Sequence, residues 1–372
     1  MNDLSSLSID VLNLSFLYGF LIVIFFVFKI KMSLIEHLII LFSLALPFFL
    51  NDVLFSVSYH PDQTMYLAAA QNLRSSLEFD PFSSVGLGGG LLGLIPIPYI
   101  DSVRSLSLAN RFLMILFILY LIHKKYVFGH SRLFILLYPS VLLYSSMGLR
   151  DGLIIILMVA GALSFLNKNF LIGILILIPL SILKIQNLVV ILPFCFFHYM
   201  VGKRISYFGH ILFFASALLI SSGVLLFRTE IFEVMNLVRI AMWTDNGGDI
   251  SEIQELVTWG ELVSQIIPSL LNFFFTPKLG QITNSFQAIQ SLENMVIFIF
   301  GGFFIHHLWS FNKRKTIFWI SFLFAFAVMY GLTVANAGTL SRYKHVGILV
   351  FVVLAFYDIF GKKIGGEPRV NR

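Results

Sequence analysis

Val11-Leu-Asn-Leu-Ser-Phe-Leu-Tyr-Gly-Phe-Leu-Ile-Val-Ile-Phe-Phe-Val-Phe28 runs without a single charge. That is close to the about 20 residues an α-helix needs to cross a hydrocarbon layer about 30 Å thick. Comparable apolar runs follow at approximately 33–50, 107–122, 132–147, 152–166, 170–183, 187–201, 208–227, 290–309, 316–333 and 345–360. These eleven runs predict an all-α, polytopic transmembrane helix bundle that forms one integral membrane domain over 1–372. The composition agrees: 58% of residues are hydrophobic, 12% are charged and the mean hydropathy is +0.90. An average soluble domain carries about 25% charged residues, so this chain has too little charge to cover a surface facing water. The single cysteine, Cys195, excludes an intramolecular disulfide and any zinc or iron–sulfur site built on cysteines. Asp3 and Asp10 precede the first run and no basic residue does, so it lacks the positive n-region of a cleaved signal and is expected to stay as an anchor.

The net charge of +6 would point to nucleic acid in a soluble chain. In a membrane protein it reports sidedness, and no nucleic-acid partner is expected. With the N-terminus outside, Lys29/Lys31, Lys124/Lys125/Arg132, Lys168, Lys203/Arg204, Lys313/Arg314/Lys315 and Lys362/Lys363/Arg369/Arg372 all fall in the cytoplasm. The positive-inside rule therefore predicts N-out, C-in. Two larger external loop regions result, 51–106 and 228–289. The first holds a helix-like stretch from Asp62 to Leu77, a flexible hinge at Gly86–Gly90 and a turn at Pro96-Ile-Pro98. The second holds an acidic, helix-compatible stretch, Asp249 to Glu261. After it comes an apolar one, Leu262 to Phe275, read as interfacial or re-entrant.

A minority of cations defies this bias. Arg150-Asp151 lies in a very short external hairpin and Lys184 in the next. Arg342-Tyr343-Lys344-His345 opens the last run from outside, Arg111 sits just inside the third, and Arg228 ends the eighth, followed by Arg239. Ionisable groups at lipid depth are costly and usually face a partner. A dispersed set of external cations suits a lipid-linked pyrophosphate, because arginine donates paired hydrogen bonds to phosphate oxygens. Taken singly, Arg150-Asp151 also fits a local ion pair, and Arg342 and Lys344 fit snorkelling to headgroups.

Acidic candidates cluster in the first external region: Asp52, then Asp62, Glu78, Asp80 and Asp101. A carboxylate or imidazole within reach of an acceptor hydroxyl can take its proton as that hydroxyl attacks. Asp62 and His60 are best placed, at the start of the helix-like stretch. Asp62 also suits a helix N-cap. A metal bridged by His60 and Asp62 would need further ligands that the sequence does not offer, so no cofactor is expected. Tyr59, Tyr66, Tyr99, Trp243 and Trp259 are candidates for stacking on sugar rings.

Five segments carry a resemblance: Asp62-Gln-Thr-Met-Tyr66; Tyr138-Pro-Ser-Val-Leu-Leu-Tyr-Ser-Ser-Met-Gly-Leu-Arg-Asp151; Lys184; Phe275-Thr-Pro277 with Glu293; and Ser341-Arg-Tyr-Lys344. In layout the chain resembles the Wzy-type O-antigen polymerases and, more loosely, the glycosyltransferase C superfamily. The resemblance implies transfer of a growing glycan from undecaprenyl pyrophosphate onto a lipid-linked repeat unit, at the external face of a bacterial inner membrane, with a chain-length regulator as a potential partner. Asp62 or His60 would match the base. Arg150, Arg342 and Lys344 would match the groups holding the leaving pyrophosphate, with Tyr343, Lys184, Arg228 and Arg111 as further substrate contacts. The sequence departs from the pattern in two ways. The acidic candidates follow the second run rather than the first, and 229–289 holds only Arg239 and Lys278 where an arginine-rich loop is expected. The competing readings are a lipid-linked oligosaccharide flippase, with Pro47, Pro139, Pro179 and Pro193 as helix breakers, and a transferase using polyprenyl-phosphate sugars.

Overall fold

The computed structural model describes residues 3–51, 53–55, 60–202, 228–245, 249, 253–278, 280, 282, 285–334 and 336–361. The expected span at 208–227, Asp52, Tyr59, Lys203, Arg204 and the basic tail lie outside the described residues. Among the described residues the architecture is helical without strands. Its helices are α1 (Asp3–Phe28), α2 (Leu34–Leu44), α3 (Leu46–Leu50), α4 (Asp62–Ser76), α5 (Ser84–Gly93), α6 (Val103–His123), α7 (Gly129–Leu137), α8 (Pro139–Ser145) and α9 (Asp151–Leu166). Then come α10 (Phe170–Leu177), α11 (Leu180–Leu183), α12 (Ile185–Gly202), α13 (Arg228–Asp245), α14 (Trp259–Phe275), α15 (Ser285–Phe311), α16 (Lys313–Thr333) and α17 (Ala337–Phe356), which ends in a π-helical turn, Tyr357–Gly361.

Among the described residues, five stretches are long and apolar enough to cross a membrane: Leu7–Phe28, Val103–His123, Gln287–Phe311, Lys313–Thr333 and Ala337–Gly361. Large apolar side chains stand outward on some of them, Phe26 at 77% and Phe303 at 74% exposure, an arrangement that lipid tolerates and water does not. Other expected runs are interrupted. Pro47 separates α2 from α3, Pro139 separates α7 from α8, and Pro179 separates α10 from α11, each lacking the N–H that would continue the helix.

The chain forms two compact units. One comprises Met1–Ser164, Leu171–Val189 and Val352–Arg372; the other comprises Phe165–Phe170 and Val190–Phe351. The first is organised on α6, which is apolar nearly all round, buried along most of its length and in contact with α1, α2, α3, α5 and α8. Glu36 joins α2 to α7. It closes a capping box with Ser33, accepts a hydrogen bond from Arg132 Nη2 (2.7 Å) and forms an ion pair with the same guanidinium, Nε to Oε1 2.5 Å. In the second unit α16 is central and packs against α13, α14 and α15.

The first external region is corrected in one respect. Asp62 to Leu77 is helical as expected, ending at Leu77 in the left-handed region, φ 58°. Gly86–Gly90, however, is no hinge: it is the body of α5, which lies directly against α4. A Cβ on Gly89 would stand 2.5 Å from Tyr66 O and 2.7 Å from Ala69 Cβ, and one on Gly93 3.2 Å from Ala70 Cα. Small residues on both helices let the backbones approach to a distance no larger side chain permits. Arg74 of α4 caps α5 from outside. Its Nε donates to Gly93 O (2.8 Å), Nη1 to Ile97 O (2.8 Å) and Nη2 to Ile95 O (2.5 Å). Gly93 O is a carbonyl left open at the end of α5, and Ile95 O and Ile97 O belong to the chain that follows it. Burial pulls the Arg74 guanidinium below its usual pKa, against an opposing pull from Asp101.

The acidic stretch from 249 is also corrected. Its described residues before Trp259 are not helical; the helix starts only where Thr258 and Glu261 form a capping box. Upstream, Arg228–Asp245 forms a helix that the sequence reading did not anticipate.

Candidate functional site

The segment Tyr138–Asp151 folds into α8, a buried non-helical turn at Ser146–Leu149, and the first residue of α9. Four consecutive residues outside a helix in an apolar interior carry backbone groups that water cannot reach. Each left unsatisfied would cost about 1–3 kcal/mol. Three side-chain amides answer this. Asn51 Nδ2 donates to Ser146 O (3.1 Å), Asn110 Nδ2 donates to Met147 O (2.7 Å), and Gln63 Oε1 accepts from Gly148 N (2.8 Å). All three residues are buried. Non-helical backbone within a membrane protein persists only where protein surrounds it in this way. The short hairpin expected at a surface is therefore enclosed, with α4 supplying one of its bonds.

This turn presents Arg150. The residue is half-buried, and its carbonyl accepts Ile154 N at 3.1 Å, so α9 is closed from Arg150 onward. Asp151 is buried at 1% exposure. Gly88 of α5 closes over this point: a Cβ there would stand 3.3 Å from Arg150 Cβ and 3.1 Å from Tyr66 Cε1. The Gln63 bond brings the start of α4 to the same place. His60, half-buried, sets its ring edge-on to Tyr144 with centroids 6.3 Å apart, and its carbonyl accepts Gln63 N at 3.1 Å. Pro61 occupies the N-cap position, so Asp62 is in the first turn, exposed, rather than the N-cap itself. The structure thus gathers His60, Asp62, Tyr66 and Arg150 around one turn: an exposed carboxylate, an imidazole and a guanidinium in one compact unit. Lys184, half-buried, follows α11, which packs against α5, the helix that also covers Arg150.

Arg111 does not join them. It is 2% exposed, and donates from Nε to Ser43 O (3.2 Å) and from Nη1 to Ser145 Oγ (2.6 Å), tying α6 to α2 and α8. Expected just inside the third run as a cation facing substrate, it lies in the core, with Ser43 O and Ser145 Oγ as its acceptors. Asp10 is a similar surprise: buried within α1, it takes Ser102 Oγ (2.8 Å), Ser105 Oγ and Arg104 Nη1 (3.5 Å).

Arg228, Arg342, Tyr343 and Lys344 belong to the second unit. Arg228 opens α13. On α17, Tyr343 packs against Tyr330 with the rings tilted by 36° and centroids 4.6 Å apart, and Arg342 is half-buried. Lys344 is 2% exposed. Its Nζ donates to Asn294 Oδ1 (2.7 Å), Thr276 O (3.0 Å) and Phe274 O (3.4 Å), while Asn294 Nδ2 also donates to Thr276 O (3.0 Å). Two segments quoted for the resemblance, Phe275-Thr-Pro277 and Ser341–Lys344, thus meet. Their meeting secures the chain where α14 ends, and Lys344 is a buried fastener rather than a cation exposed at a surface.

Asn51, Gln63 and Asn110 escaped the sequence reading. The signal for them was an uncharged amide beside or within an otherwise apolar stretch. Among the described residues, no group of three or more His, Cys, Asp or Glu side chains is arranged to hold a metal ion. Comparison of the chain with protein-family models, with curated proteins and with solved structures gives no match in any of the three.

Proposed function

We propose that the protein is a glycosyltransferase of the repeat-unit polymerase type, crossing a bacterial inner membrane eleven times with its N-terminus outside and its C-terminus inside. It extends a glycan carried on undecaprenyl pyrophosphate at the external face. The observation that carries the reading is the convergence of Asp62, His60 and Arg150 on one enclosed turn. Asp62, exposed at the start of α4, takes the proton of the acceptor hydroxyl, with His60 beside it as the alternative base. Arg150 receives the negative charge that develops on the leaving pyrophosphate. The acceptor oxygen bonds to the anomeric carbon as the bond from that carbon to the pyrophosphate breaks, and the released carrier departs with the electron pair. Positioning supplies the remainder, since two lipid-linked substrates held in a membrane plane react as an effectively unimolecular pair. No metal or redox cofactor enters this scheme.

The test is the surface glycan of cells producing Arg150→Ala or Arg342→Ala protein at normal level. Each is expected to leave single-repeat glycans where the wild type gives a long ladder; a normal ladder from both overturns the assignment. Loss of even single-repeat glycan on deletion would instead identify a flippase.

A further inference from the structure

The only two basic residues of 229–289, Arg239 and Lys278, line one cavity of about 340 Å³ in the second unit. Trp243, Gln254, Gln265 and Asn272 line it with them, and no acidic side chain does so among the described residues. Arg239 is 8% exposed. Its Nε donates to Leu332 O (3.4 Å), and its Nη1 to Gln254 O (3.0 Å) and Asn236 Oδ1 (3.3 Å). All of these acceptors are neutral, and Nη2 has none among the described residues. A guanidinium withdrawn from water without a counter-charge is costly, and an anion entering the cavity would recover that cost. Burial already pulls this guanidinium below its usual pKa. Lys278, exposed at the rim, adds a second positive charge.

We infer that this cavity is a binding site for a carboxylated sugar, a uronate residue of the glycan. Its volume is at the small end of ligand pockets, which run from roughly 300 to 1,000 Å³. Three amide side chains among two cations suit a singly charged, polyhydroxylated ring better than a pyrophosphate, which carries more charge and fewer hydroxyls. Trp243 offers an aromatic wall of the kind on which a sugar's C–H face packs. That the ligand is a sugar rests on the glycan-transfer reading; the preference for an anion rests on the cavity alone.

The experiment is calorimetric titration of the full chain in lipid nanodiscs with glucuronate, glucose, acetate and inorganic pyrophosphate. Glucuronate is expected to bind saturably and more tightly than the other three. Lys278→Gln, at an exposed position, is expected to weaken it about fivefold, the effect of a rim charge pair worth about 1 kcal/mol. Arg239→Lys keeps the charge while removing the fork and is expected to weaken it further. Glucose binding as tightly as glucuronate, acetate or pyrophosphate binding more tightly, or full affinity in Lys278→Gln would each overturn the site. The glycan ladder of Arg150→Ala cells tests the transfer reading separately, because Arg150 is no part of this cavity.

Discussion

Gln63 Oε1 accepts the backbone N–H of Gly148 at 2.8 Å across 85 positions of sequence. Through this bond the start of α4, with His60 and Asp62, is joined to the turn that carries Arg150. Gln63→Leu keeps the volume and removes the acceptor, leaving a buried N–H unsatisfied. The cost is expected to be about 1–3 kcal/mol, read as a lower unfolding midpoint in detergent. Thr64→Ala, at the exposed neighbouring position, serves as the control and should stay within about 0.5 kcal/mol of wild type. Equal midpoints for Gln63→Leu and wild type would show that the bond does not hold the turn.

Asp62→Asn is expected to lower turnover on purified lipid-linked repeat units by about 10²- to 10⁴-fold, the usual worth of a general base, with substrate affinity preserved. His60→Gln should have a smaller effect. If the two magnitudes are reversed, the imidazole is the base; undiminished turnover in Asp62→Asn removes it from the chemistry.

Two glycines should respond with opposite sign. At Gly89 a Cβ would meet main-chain oxygen at 2.5 Å, so Gly89→Val must push α5 off α4, at an expected cost of about 1–3 kcal/mol or more. At Gly19, inside α1, a Cβ meets nothing within 4 Å, and Gly19→Ala is expected to gain about 0.5–1 kcal/mol. Unfolding midpoints of both variants check the pair.

The beginning of α14 is expected to be acid-sensitive. Glu261 accepts from Val257 N (2.7 Å) and Thr258 N (3.1 Å), and these bonds hold its carboxyl below the ordinary value of 4.5. A carboxylate with a lowered pKa stabilises fully above its ordinary range and loses that contribution as pH falls through the lowered value. Amide-exchange protection at Val257 and Thr258, normalised to intrinsic rates, should therefore be full above the ordinary value of 4.5 and fall as the pH drops below it. In Glu261→Gln it should be low throughout. Unchanged protection in acid would show that the cap does not depend on the charge.

Legibility followed the range of the forces involved. Helices at 11–28, 107–122 and 316–333 were readable because an apolar run long enough to cross a membrane is a local property. Prolines 47, 139 and 179 were visible as breakers for the same reason, whereas Pro193, read with them, lies inside α12. Gly86–Gly90 was misread because what makes it helical is the small surface of Ala69 and Ala70 on another helix, which no local window contains. Arg111 and Lys344 were read by charge alone, and their acceptors, Ser43 and Ser145 for one, Phe274, Thr276 and Asn294 for the other, lie far away in sequence. Asp62, His60 and Arg150 were singled out individually from residue type; the amides that bring them to one turn were not.

The contact of α4 with α5 bears on evolution as well as on packing. At Gly89, where helix meets main chain, an added Cβ would stand 2.5 Å from Tyr66 O, so a larger residue there must move one helix off the other. The alignment of His60 and Asp62 with the Arg150 turn is thus enforced by atoms that are missing. Drift at the exposed positions of this region is cheap, but Gly89 cannot be enlarged without displacing α5 from α4, and at Gly88 or Gly93 the neighbouring atoms would have to give way.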